Sequence, residues 1–188
     1  MRTKPLVFLL LTLGIGAQAS PGDQPGDTER AQAAVAEFGQ ALKTELMAAM
    51  QSGGPVDAIG VCNIQAPRIA EQISAANDLQ ISRVSLKNRN PGNAPNDWQA
   101  RVLASFEERK RAGEDASGLT WQETAKIGEV TEFRFMRAIP TAALCLQCHG
   151  EALAPPVSQK LAEIYPDDKA TGFREGDIRG AFVVTHKH

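Results

Sequence analysis

Cysteine, histidine and positive charge are all in short supply in this chain, and each scarcity closes off a class of protein. There are 3 cysteines in 188 residues. Three thiols cannot all pair internally, so at least one needs an explanation other than a disulfide. There are 3 histidines, and His186 and His188 fall within the last three residues. Only His149 is left in the body of the chain, which ranks peroxidase-like chemistry, with its need for a second acid–base group over an open site, last. Basic residues number 20 against 22 acidic ones, a formal charge of −2. No clustered basic footprint for nucleic acid follows from that balance. Beyond the first twenty residues no apolar run approaches the roughly 20 residues of a membrane-spanning helix. There is no internal repeat.

The N-terminus carries what the rest lacks. MRTKP is a short basic start, LVFLLLTLGIGA is an apolar run of signal-peptide length, and Ala17-Gln18-Ala19 fits the small-residue cleavage pattern. Residues 1–19 therefore read as a signal peptide, with export to the periplasm. The rival reading is an uncleaved anchor. Removing Arg2 and Lys4 lowers the basic count from 20 to 18 against 22 acidic residues, a formal −4. SPGDQPGDT (20–28) reads as a flexible lead, and residues 29–188 as one domain.

Within that domain Asp27 or Thr28 can cap a helix reaching about Met50, since Ala31, Val35, Phe38, Leu42, Leu46 and Ala49 recur every three to four residues. Ser52-Gly53-Gly54-Pro55 ends it and begins another, which Pro67 interrupts or restarts. LQISRVSLK (79–87) reads as a strand, NRNPGNAPND as turns, and residues 98–113 as a helix with Trp98, Val102 and Phe106 inward. LTWQET (119–124), EVTEFRFMRAIP (129–140) and DIRGAFVVT (177–185) read as strands, and residues 156–166 as a short helix. The order predicts an α+β domain with a small antiparallel sheet. Phe38, Leu42, Trp98, Phe106, Phe133 or Phe135, and Phe182 are its expected core.

One motif carries chemistry. Residues 144–151 read LCLQCHGE, so Cys145 and Cys148 stand three apart and His149 follows at once. C-x-x-C-H is the attachment signature of c-type haem. Two thiols at that spacing can each take one vinyl group of a porphyrin, and the adjacent imidazole then falls under the iron. Export fits, because such attachment follows translocation. A thioredoxin-like pair would want a βαβ setting, and a zinc site two more nearby ligands. One covalent haem c is the expectation, with His149 as an axial iron ligand. The residues leave the sixth position open among Cys62, Met47, Met50, Met136, His186 and His188. The plain alternatives are a buried thiol at Cys62, packing roles for the methionines and a solvated tail for the two histidines.

VCNIQAPRIA (61–70), RVSLKNRNPGNAPNDWQ (83–99), LCLQCHG (144–150) and YPDDKATGFREGDIRGAFVV (165–184) together resemble a family of PAS-like c-type haem proteins, over roughly residues 30–185. The resemblance implies a PAS-like antiparallel sheet with flanking helices and a long N-terminal helix. It also implies that Cys62, in its V-C-x-x-x-A-P context, is the other axial ligand. It makes Arg83, Lys87 and Arg89 candidates for the haem propionates, beside the alternative of a structural turn with solvated charges. Gly176 and Gly180 read as turn and close-packing positions. The functional expectation is a redox or diatomic-gas (NO or CO) sensor acting through a separate redox or signalling protein. The alternative is a low-potential periplasmic electron-transfer cytochrome c.

Overall fold

The computed structural model describes residues 26–188, so the signal-peptide reading lies outside the described residues. Helix α1 spans Asp27–Gly60, β1 follows α2 (Ala66–Asn77) at Gln80–Val84, and α3 covers Asp97–Arg111. Strands β2 (Thr120–Ile127) and β3 (Val130–Pro140) form a hairpin. Short α4 (Leu146–His149), α5 (Pro155–Ile164) and β4 (Ile178–Lys187) complete the chain. The four strands pair antiparallel in the order β1-β4-β3-β2. The α+β class, the long N-terminal helix and the antiparallel sheet are as expected. Among the described residues, no helix is long and apolar enough to cross a membrane.

The alternation of β3 and β4 puts two cores on opposite faces of one sheet. Phe133, Phe135 and Val184 meet α1 through Ala31, Ala34, Val35 and Phe38. Met136, Ala138 and Val183 meet α3 through Val102, Leu103 and Phe106. Phe38, Phe106 and Phe135 are almost fully buried, each contributing roughly 1.5–3 kcal/mol of hydrophobic stabilisation. Three expected core residues are only half-buried. Trp98 stacks on Trp121 beside the sheet, 5.6 Å between rings, with Arg134 over it. Leu42 and Phe182 pack against the α1 core and also border a cavity.

That cavity follows from α1 itself. The apolar face that docks Phe38 on the sheet continues through Leu42, Leu46 and Met50, where the sheet no longer covers it. At Gly54 the backbone leaves helical geometry, with φ 72° and ψ −166°, and Pro55 follows. A left-handed φ of this kind suits glycine, so the GGP stretch turns the chain while helix resumes on its far side. Val61–Gln65 then forms a π-helical turn before α2, a feature frequent at functional sites.

Candidate functional site

The cavity has a volume of about 590 Å³, within the range of small-molecule sites. Its walls are α1, the π-helical turn, the β1–β4 end of the sheet and the segment 142–149. Cys62, Cys145, Cys148 and His149 all border it. Of the other candidates for the sixth ligand, Met47 and Met50 border it too. Met136 is sealed in the α3 core, and His186 and His188 bond Asp27 rather than forming a solvated tail. All three thiols are free. Burial pushes the Cys148 thiol up, Arg89 offsets part of that, and Cys62 and Cys145 are close enough to raise it further.

His149 is held in one orientation. Its Nδ1 lies 2.7 Å from the Ala170 carbonyl, and a carbonyl can only accept, so Nδ1 carries the proton and Nε2 keeps its lone pair. Arg179 Nε stands 3.5 Å from that Nε2. Burial, with the positive charges of Arg179 and Arg89, drives the imidazole pKa down to about 2, so the ring stays neutral. The backbone locks the motif as well. The N–H groups of Gly172 and Phe173 donate to the carbonyls of Gly150 and His149, both at 2.9 Å.

Arg89 explains why Ala170 is in place. It is 7 % exposed. It pairs with Asp168 at 2.9 Å and donates to the carbonyls of Cys148 at 2.6 Å and Ala170 at 3.2 Å. Asp168 in turn accepts from the Ala170 N–H at 2.7 Å. One guanidinium thus ties the motif to the 168–170 loop that orients His149, as outer-shell partners of a ligand do. Lys87 donates to the Thr171 carbonyl and lies over the Phe173 ring, which leaves it outside the cavity lining.

The cavity's charge is one-sided. Lys43, Arg83, Arg89 and Arg179 line it, with no acidic side chain among the lining residues. In a chain of net charge −2 that calls for an anionic occupant. Arg83 and Arg179 form no ion pair among the described residues. Burial pulls the Arg83 guanidinium down, while Cys62 and Tyr165 offset part of that. Arg179 is lowered to about 10 by burial and by the repulsion of Arg89 and Arg83. Two unpaired, sheltered guanidinium groups are costly unless an anion joins them.

Arg179 was absent from the sequence candidates, for a geometric reason. β3 residue Ile139 faces Gly180 but Pro140 faces Ile178, so Arg179 is the extra residue of a β-bulge. Strand alternation would aim it at the α3 face. The bulge re-aims it toward His149, a common use of bulges beside sites. Gly180 is needed next to it, because a side chain there would run into the Val84 carbonyl. Gly176 serves a turn at φ 81°.

The residues fit a covalently held porphyrin. There is an apolar slot, two thiols on one edge, a bordering imidazole that keeps one nitrogen unprotonated, a third thiol on another wall, and unpaired cations for carboxylates. Comparison with known proteins supplies a family. Residues 23–186 match the Tll0287-like family. The chain is similar to the solved cyanobacterial heme-protein Tll0287 at 29% identity, with a TM-score of 0.65, covering 87% of this chain and 96% of that one. No curated protein matches the chain.

Proposed function

The chain belongs to the Tll0287-like family, and we propose that it is an exported haem c protein that senses redox state or a diatomic gas. In this reading Cys145 and Cys148 hold one haem covalently, His149 and Cys62 are the axial ligands, and Arg83 and Arg179 face the propionates. Bound there, the haem would supply an iron centre that accepts one electron and can take NO or CO. The observation that carries the reading is the meeting of two distant parts of the chain, Cys62 with the Cys145–His149 motif, around one apolar, cation-lined cavity.

The chain's own residues suggest how a signal would arise. His149 is pinned through Ala170, Gly172 and Phe173, so its side of the site is fixed. Cys62 rides on a single π-helical turn between the Gly54 break and Pro67. A thiolate binds a metal and a thiol does not. A proton gained at Cys62 Sγ would therefore release that side chain and free a ligand position. The turn that carries Cys62 would be the first part of the chain to feel that release, and a separate protein partner in the periplasm would read the change.

Mass spectrometry of the denatured, acid-extracted protein tests attachment. One haem should remain on the wild type and be lost in Cys145→Ala and Cys148→Ala. Ferric and ferrous absorption spectra of wild type and Cys62→Ala test ligation. The ferric spectrum should shift in the variant, and CO should bind the wild type only after reduction. Haem that extracts freely would end the haem c reading. Retention of Cys62 in both oxidation states would end the sensor reading in favour of an electron carrier.

A further inference from the structure

We propose that Asp27, His186 and His188 form a binding site for a divalent ion of the Zn²⁺ class, joining the first turn of α1 to the end of β4. The inference is independent of the haem reading. Arg179 marks the haem end of β4, and His186 is seven residues further along, about 23 Å at strand rise.

The placement is built by the fold. Strand alternation puts His186 and His188 on one face and Lys187 on the other, opposite Glu132. The face chosen is the one α1 crosses, and α1 begins there with Asp27. His188 is not loose, since its N–H donates to the Thr131 carbonyl at 2.9 Å. Each carboxylate oxygen meets a different ring. Asp27 Oδ1 lies 2.9 Å from His186 Nδ1, and Oδ2 lies 2.8 Å from His188 Nε2. The rings themselves are 4.4 Å apart, and all three donor atoms lie within 4.8 Å of one another.

Two imidazoles and a carboxylate are the donor set of borderline divalent ions. A tetrahedral ion with bonds of about 2.0–2.1 Å wants donors roughly 3.3 Å apart, which small ring rotations supply here. The fourth position faces the open side, where His188 is 45 % exposed. Two groups oppose a cation. The N-terminus of α1 is the positive end of its dipole, and Arg30 lies 3.7 Å from Asp27. Arg30 also donates to the Asn77 carbonyl at 2.6 Å, so an ion at Asp27 competes with a cation that has a second anchor to keep. Of the chain's 3 histidines, the two outside the haem motif are both in this cluster.

The plain alternative is a pair of carboxylate–imidazole hydrogen bonds with no metal, and calorimetric titration separates the two. Chelator-washed holoprotein titrated with Zn²⁺ should bind one equivalent. His188→Gln and Asp27→Asn should each weaken binding at least tenfold, and Cys62→Ser should leave it unchanged. A hundredfold excess over the wild-type dissociation constant should raise the Tm of the wild type by roughly 5–11 °C and that of His188→Gln by at most about half as much. Because His188 is exposed, that variant keeps the fold even if changes at Asp27 disturb α1. No Zn²⁺ binding by the wild type, equal binding by both site variants, or binding lost in Cys62→Ser would overturn the proposal.

Discussion

Replacing Arg89 by methionine should destabilise the protein far more than any other single loss of charge. The guanidinium is buried, and its partner Asp168 is 11 % exposed. Removing Arg89 therefore leaves a sheltered carboxylate with only the Ala170 N–H to stabilise it. The Cys148 carbonyl loses a donor at 2.6 Å, whereas the Ala170 carbonyl keeps His149. Breaking a buried pair from one side costs about 3–5 kcal/mol. That is a large share of the roughly 5–15 kcal/mol that holds a domain folded. At about 2–4 °C per kcal/mol for a chain of this size, the Tm should fall by roughly 6–20 °C. Adding Asp168→Asn removes the orphaned charge, so the double variant should recover part of the loss. Thermal and urea denaturation of the holoproteins, followed by far-ultraviolet circular dichroism, would measure both. A Tm within 2 °C of wild type for Arg89→Met, or no recovery in the double variant, would refute the view that this pair clamps the motif.

Three further outcomes follow from particular contacts. Gly180→Ala pushes a methyl group against the Val84 carbonyl where β1 meets β4, so it should cost about 1–3 kcal/mol by overpacking and lower the urea midpoint. Arg179→Met removes an unpaired cation beside His149 without touching the Arg89 clamp. It should leave the Tm equal or higher in the haem-free chain, but lower the reduction potential of the holoprotein, as potentiometric titration would detect. Burial would raise the Asp177 carboxyl, but the Arg174 N–H and Lys110 outweigh it and hold it below its ordinary 3.8. A carboxylate depressed on folding stabilises the protein above the unfolded value, and that stability is lost as pH falls through the folded one. The wild type should therefore lose stability more steeply than Asp177→Asn below about pH 4, as urea midpoints at pH 6 and pH 3 would show.

What was readable in the sequence is what local chemistry decides. The C-x-x-C-H spacing, the apolar stripe from Ala31 to Leu46 and the break at Ser52–Pro55 each depend on neighbours a few residues apart, and each has its counterpart in the fold. The strands were found with ends off by a few residues. β2 runs on to Ile127 rather than stopping near 124, and β4 extends to Lys187. The stripe itself was right, but periodicity reports which residues share a face, not what lies opposite. Half of that face meets the sheet and half meets a cavity, which is why Leu42 and Phe182 are only half-buried.

The charges were the hard part, because their roles are decided by partners far along the chain. Lys87 and Arg89 looked alike in the sequence as basic residues in a turn-rich loop. In the fold Arg89 meets Asp168 and Lys87 meets Thr171, both more than seventy residues away, and no local pattern marks those pairings. Arg179 was hidden by the opposite effect. Its local pattern was clear but misleading, since a regular strand would have turned it from the cavity and only the bulge against Ile139 and Pro140 brings it back. The same holds for His186 and His188. As the end of a chain they read as solvated, yet β4 continues two residues beyond its expected end, and with the extra length their alternation delivers both rings to Asp27. A residue's face can be read from its period, but whether a charged or ligating group finds a partner depends on where the strand stops and where it bulges.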